Sequence, residues 1–354
     1  MRIHIDINHP AHVHYFKNFI KIMSNNGHTF IVTNRDSPII IQLLKANSIN
    51  HITRNKRPNN NSKINSLIYL ISMIFFVFKY TMNKKVGLYL GFASSQNAIV
   101  AFLRRKPSII IDDTEHNKLN HAIYTKFCSV ILTPFYFTKN LGRKQIHFNA
   151  YVEQLYLHSN FYKQNQVNET EPYAICRFIA YDAAHDKNIK NKALTILEKK
   201  KIVETLEKKF KVYVSLESEY DEEKAFFEKR KFKINPEEIH DYISHSDLFI
   251  TEGATMASEA GILGVNYYYI NPLNVSNLET QCENYENGNI LSGHELLAQL
   301  DIIINKENLN KEKIKQEIED STICPTSFLV WFVENYPESE KVMQQNFDYQ
   351  LRFK

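Results

Sequence analysis

Short apolar runs of strand length alternate along this chain with longer segments whose apolar residues recur at helical spacing. Arg2 to Ile7 alternates polar and apolar residues and predicts a first strand. After a histidine-rich loop comes a helix from about Tyr15 to Asn25, with Phe16, Phe19, Ile20 and Met23 on one face. Gly27 closes that helix and His28 to Thr33 extends again. The rhythm continues through a helix at Ser37 to Asn47, a strand at Val86 to Gly91 and a helix at Ser94 to Arg104. Strands at Ile109 to Ile111, Val130 to Thr133 and Ile146 to Phe148 follow, with a short helix expected at Phe135 to Leu141. The polar, Asn-rich Ser159 to Pro172 reads as a linker, and a second half opens at Tyr173 to Arg177. Its strands are expected at Val212 to Leu216, Leu248 to Ile250 and Val265 to Ile270. Its helices are expected at Lys187 to Phe210, Pro236 to Ile243, Glu295 to Ile304 and Lys311 to Glu319. Such alternation predicts an α/β protein with two doubly wound domains, 1–160 and 173–326.

The stretch with the sharpest chemical pattern is Ser246 to Pro272, read as strand, glycine turn, helix, turn, strand. Three of the nine glycines fall between Gly253 and Gly264, which suggests tight turning or close approach to something. A helix that opens on the turn Gly253-Ala254-Thr255 offers unpaired N–H groups and a positive dipole end to an anion such as phosphate. Glu259, one turn in, could accept hydrogen bonds from ribose hydroxyls; the plain alternative is an ordinary βαβ turn with a solvated Glu. In the first half, Ile109 to Ile111 delivers Asp112-Asp113-Thr114-Glu115-His116 to a strand's carboxyl end. Asp113 and Glu115 there are candidate general bases, against the alternative that Asp113 or Thr114 caps a helix. His9, His12 and His14 lie at the equivalent edge after the first strand.

The most apolar run is Leu67 to Phe78, flanked by Lys63, Lys79, Lys84 and Lys85. Twelve residues are too few for a bilayer, which needs roughly twenty. The run therefore reads as a buried core helix, or else as an amphipathic patch lying on an anionic membrane surface. A net charge of +4, from 43 Lys and Arg against 39 Asp and Glu, gives no reason to expect a nucleic-acid partner. Cys128, Cys176, Cys282 and Cys324 are scattered with no CxxC pair, which points to a reducing cytoplasm and to no zinc ribbon. No signal peptide is expected, because Arg2 leads straight into a strand. No metal is expected in the His9–His14 and Asp112–His116 clusters, which lack an HExxH-like spacing. The strict GxGxxG fingerprint is missing, which argues against a dinucleotide dehydrogenase.

The segments DINHPAHVHYFKNF (6–19), DDTEH (112–116) and TEGATMASEAGILG (251–264) together resemble a family of bacterial and archaeal GT-B-like proteins labelled a domain of unknown function. More distantly they resemble MurG-type N-acetylglucosaminyltransferases and UDP-GlcNAc 2-epimerases. The resemblance implies two Rossmann-like domains facing across a cleft, with the tail 327–354 crossing back onto the first. It implies a glycosyltransferase that uses a nucleotide-diphosphate sugar, read as UDP-linked, with no metal or cofactor and a glycan or lipid-linked acceptor. It places Arg177 by the donor pyrophosphate and His12 at the position of the first loop's histidine, with His9, Pro10 and Ala11 replacing that loop's glycines; His12, or else Asp113 or Glu115, would deprotonate the acceptor hydroxyl, and His9 and His14 would bind substrate. Asp182, His185 and Asp186 fall in a segment that serves donor or acceptor. The expected location is the cytoplasm or the inner face of the plasma membrane, and a nucleotide-sugar epimerase and a non-catalytic nucleotide-sugar binder are the rival expectations.

Overall fold

The computed structural model describes residues 1–54, 63–179, 194–217 and 223–354. The chain forms two compact units, Met1–Phe161 with Thr322–Lys354, and Tyr162–Ser321.

The first unit is built on seven strands, β1 (Arg2–Ile7), β2 (Thr29–Arg35), β3 (His51–Arg54), β4 (Leu88–Phe92), β5 (Ser108–Ile111), β6 (Val130–Pro134) and β7 (Gln145–Phe148). All neighbours pair in parallel, in the order β3-β2-β1-β4-β5-β6-β7. The order reverses between β1 and β4, so the crevice at their carboxyl ends is the expected ligand position of such a sheet. The helices in chain order are α1 (Pro10–Asn25), α2 (Pro38–Ala46), α3 (Lys63–Thr81), α4 (Ser95–Leu103), α5 (Lys118–Phe127) and the single turn α6 (Gln154–Leu157).

Three local expectations are corrected here. The histidine-rich loop is largely helix, because α1 starts at Pro10 rather than Tyr15. Proline at the first helical position is preset for helix, and the His9 side chain caps by accepting from the Ala11 N–H at 3.2 Å. No helix forms at Phe135–Leu141. The Thr138 N–H goes to the Glu115 carboxylate at 2.5 Å instead of to a carbonyl one turn back. The Asp112–His116 segment caps nothing either: α5 begins only at Lys118, after Asn117.

The core reading of the apolar run holds for one face of the helix only. In α3, Val77 is buried and Ile74 and Phe78 pack with it against Val86, Tyr89, Val100 and Ala101. On the other side Leu67, Ile68, Ile71 and Phe75 are exposed, Phe75 by 70%. The helix buries one face and leaves an apolar stripe in water, unfavourable at roughly 25 cal/mol per Å². Among the described residues no helix is long and apolar enough to cross a membrane.

The second unit has five parallel strands, β8 (Tyr173–Phe178), β9 (Lys211–Leu216), β10 (Leu248–Thr251), β11 (Tyr267–Tyr269) and β12 (Gly288–Ile290), in the order β12-β11-β10-β8-β9. Its switch point lies between β8 and β10. Its helices are α7 (Ile196–Leu206), α8 (Lys224–Glu228), α9 (Ile239–His245), α10 (Ala254–Ile262), α11 (Ser276–Asn284), α12 (Gly293–Ile303) and α13 (Lys311–Ser321). The expected helix from Lys187 is described only from Ile196, where Thr195 and Glu198 form a capping box. After α13 the chain returns to the first unit as α14 (Pro325–Glu334), α15 (Glu338–Gln345) and a 3-10 turn at Phe347–Phe353.

Candidate functional site

At the β1–β4 crevice, a buried ionic cluster underlies the α1 N-terminus. Asp6, fully buried, accepts from the Thr33 hydroxyl at 2.6 Å and the Asn8 amide at 2.7 Å, and also from Gln96 and Arg54. Burial alone would raise the Asp6 pKa, but Arg54 and these donors outweigh it and hold the carboxyl below its usual range. Arg54 also donates to Asn8, so one ion pair fixes the residue that precedes His9. Asn8 in turn donates its backbone N–H to His12 Nδ1 at 3.3 Å. That bond puts the His12 proton on Nε2. Burial, then the nearby His9, pushes the His12 pKa down to about 3, so the ring is a neutral N–H donor near pH 7. Its ring lies 5.0 Å from Phe92 and 6.0 Å from both His9 and Tyr15. His14, by contrast, packs on Tyr156 at 5.3 Å. Ala93, which follows β4, has φ 45, a left-handed conformation uncommon for a non-glycine residue, at the same crevice.

Asp112 and Asp113 at the end of β5 have different surroundings. Asp112 is fully buried and accepts from the Tyr124 hydroxyl at 2.5 Å and the Thr114 N–H at 2.9 Å. His121 Nε2 is 3.2 Å from it, and Lys139 donates to His121 Nδ1 at 2.7 Å. Asp113 receives the Thr114 hydroxyl at 2.9 Å. Burial first, and then the neighbouring Asp112 charge, pushes its pKa up to about 7. A carboxyl that exchanges its proton near neutral pH suits general acid–base work. Tyr136 lies close by: burial, then the charges of Glu153 and Asp113, holds its phenol protonated. Glu115 points elsewhere, since the Thr138 hydroxyl and N–H both donate to it.

In the second unit the β8–β10 switch point carries the glycine turn. Glu252 donates its N–H to the Arg177 carbonyl at 3.0 Å, and its own carbonyl accepts from Asn271 at 2.9 Å. Its carboxylate accepts from the Ile179 N–H at 2.8 Å and from Lys199 at 3.2 Å, both charged side chains being 1% exposed. This clasp joins the ends of β8, β10 and β11 to α7, immediately before Gly253.

Gly253 is the N-cap of α10 and has no side chain with which to cap it. Its φ of −99 is open to any residue, and among the described residues an added Cβ would meet only Thr251 Oγ1 at 3.5 Å and Ile179 Cγ2 at 3.7 Å. Gly264 differs: φ is +73 and a Cβ would lie 2.4 Å from the Lys311 carbonyl. Packing among the described residues thus demands glycine at 264 and tolerates more at 253. Glu259 is buried, its Oε1 3.3 Å from His240 Nε2 on α9. The Arg177 side chain is occupied by Ser215 at 2.9 Å and by the Glu217 carboxylate.

Gly253, Ala254, Thr255 and Glu259 therefore share one helix end with the Arg177 backbone beside them, while His9, His12 and Asp113 lie at carboxyl ends of the first sheet. Sequence reasoning missed Asp6, Arg54, Glu252, Lys199 and His240. Asp182, His185 and Asp186 lie outside the described residues. Among the described residues no group of three or more His, Cys, Asp or Glu side chains comes together as a metal site.

The sequence profile of a family described as "Protein of unknown function (DUF354)" matches residues 1–324. The chain belongs to that family. An uncharacterised protein of Methanocaldococcus jannaschii is 24% identical over 274 residues, 74% of this chain and 79% of its own length. Among solved structures, the UDP-GlcNAc 2-epimerase of Neisseria meningitidis, bound to UDP-GlcNAc, superposes with a TM-score of 0.65 at 12% identity, covering 95% of this chain and all of the other. MurG of Acinetobacter baumannii superposes at 0.57 with 14% identity, covering 94% and 99%. These likenesses establish the fold: the DUF354 chain has the two parallel-sheet, Rossmann-like domains of GT-B glycosyltransferases and epimerases.

Proposed function

We propose that this protein is a glycosyltransferase that takes a sugar from a nucleotide-diphosphate donor, UDP-linked, and delivers it to a hydroxyl of a glycan or lipid-linked acceptor. The observation that carries the reading is Gly253: a glycine that contacts among the described residues do not require, opening a helix with no side chain of its own at the cap. That combination suits close approach by a diphosphate, which the first N–H groups of α10 and the helix dipole would stabilise. Glu259 would take the ribose hydroxyls. Arg177 would add a cation if its guanidinium exchanges Glu217 for phosphate.

In transfer, the acceptor oxygen forms a bond to the anomeric carbon as the bond from that carbon to the phosphate oxygen breaks. The acceptor proton goes to a base and the diphosphate leaves with the electron pair. Asp113, with its pKa near 7, is better suited as that base than His12, whose Nδ1 is taken and whose Nε2 carries a proton. His12 fits instead as a donor to a substrate oxygen. The exposed apolar face of α3, with Lys79, Lys84 and Lys85 beside it in sequence, supports a lipid-linked acceptor at an anionic membrane.

The test is a pair of glycine variants titrated with UDP. Gly253→Ala should melt like wild type yet bind UDP at least about tenfold more weakly, since a methyl group would sit where the phosphate approaches. Unchanged UDP affinity in Gly253→Ala, or no UDP binding by wild type at millimolar concentration, rules the donor site out. An epimerase of the same fold remains the second reading, because an acid that titrates near pH 7 could equally act on a sugar ring. Incubation with UDP-sugar and no acceptor separates the two, as only an epimerase changes the sugar.

A further inference from the structure

Glu259 and His240 come from different helices, each anchored independently of the other. Their side chains are 7% and 5% exposed, with His240 Nε2 3.3 Å from Glu259 Oε1, a close polar contact rather than a hydrogen bond. On the α9 side, Asp241 follows His240 and takes three bonds from the chain that enters the unit. The Tyr162 hydroxyl donates at 2.8 Å, and the Asn165 N–H and side-chain amide each at 3.0 Å. At the far end of α9, Lys311 donates to the carbonyls of Ser244 at 2.9 Å and Ser246 at 2.7 Å. On the α10 side, Gln281 donates to the Ser258 hydroxyl at 2.7 Å and itself accepts from Tyr267 at 3.1 Å. Both helices are therefore pinned through residues adjacent to the pair, which holds the imidazole against the carboxylate.

We propose that His240 is a positioning residue that holds the Glu259 carboxylate in the orientation that receives the ribose hydroxyls of the donor. The proposal rests on the donor-site reading above. A glutamate with three rotatable bonds loses rotamer freedom when a ligand fixes it, and a buried partner that fixes it beforehand removes that cost from binding. Asp241 and its linker contacts extend the support outward, so the sugar-reading carboxylate is set by the segment Tyr162–Asn165 as well as by its own helix.

The experiment compares UDP with 2′,3′-dideoxy-UDP by calorimetric titration of the full chain. Wild type should prefer UDP, and Glu259→Ala should abolish the preference. His240→Ala should lower the preference by about tenfold, the size of the rotamer freedom that an unheld glutamate loses on binding, while affinity for the dideoxy compound stays unchanged. His240→Gln, whose amide can reach Glu259 from the same place, should restore most of it. If His240→Ala does not fold, His240→Asn takes its place, being too short to reach Glu259. A full preference for UDP in the Ala or Asn variant, alongside its loss in Glu259→Ala, overturns the role of His240 and leaves the donor site standing. A wild type that binds both compounds equally overturns the ribose assignment of Glu259, and the role of His240 with it.

Discussion

The raised pKa of Asp113 makes a claim about stability that needs no knowledge of substrate. An aspartyl group that titrates near 3.8 when unfolded and at about 7 when folded binds its proton more tightly in the native state. Between those two values the folded chain holds a proton that the unfolded chain has released, so stability falls as pH rises. The loss begins near pH 4, is complete just above pH 7, and is absent below pH 4, where both states are protonated. Each tenfold difference in proton affinity is worth about 1.4 kcal/mol, so the full interval amounts to about 4 kcal/mol. Solvent at the exposed edge of the side chain lowers the expected figure to about 2–4 kcal/mol. Asp113→Asn removes the charge and keeps the shape. Its urea midpoint should therefore match wild type at pH 4 and exceed it increasingly up to pH 7.5, by about 2–4 kcal/mol after conversion with the m-value. A difference between variant and wild type that does not change with pH would refute the argument, and so would a carbon-13 titration that puts Asp113 near 4.

Lys199→Met leaves the Glu252 carboxylate buried without its cation and should cost about 3–5 kcal/mol in denaturant unfolding; Lys199→Met with Glu252→Leu should recover much of that, and equal losses in both would refute the pairing. Gly264→Ala forces a methyl group against the Lys311 carbonyl at positive φ and should destabilise by more than about 1 kcal/mol, whereas Gly253→Ala should be close to neutral in the same melt. The α3 stripe predicts that the protein floats with liposomes that contain anionic lipid, less so in high salt, and that Phe75→Glu abolishes flotation without lowering the melting temperature. Sedimentation of wild type away from such liposomes would leave a soluble acceptor as the better assignment.

The local pattern determined most of the elements. Period-two apolar runs such as Arg2–Ile7 and helical spacing such as Phe16, Phe19, Ile20 and Met23 are set by which face each residue must bury, and burial of those faces is what stabilises the elements. The order of strands and helices then left a doubly wound α/β architecture, and the turn before α10 was legible because glycine is rare elsewhere in the chain. Pairing between distant residues was not legible. His4 and Asp6 alternate with Ile3, Ile5 and Ile7 and read as a solvent face, but β1 lies inside a seven-stranded sheet with both faces covered, so both are fully buried.

Asp6 became an ionic hub only because β3 carried Arg54 to it from 48 positions away. Lys199 and Glu252, 53 apart, read as one charge in a run and one at a strand end; tertiary packing made them a buried pair. The histidines show the same division. Their clustering was plain in the sequence, whereas the cap by His9, the neutral ring of His12 and the turning of His14 toward Tyr156 required α1 to begin at Pro10. The α3 run marks the limit from the other side, since hydrophobicity alone does not say whether a face meets a core. Only the sheet beneath it decided that Val77 is covered and Phe75 is not.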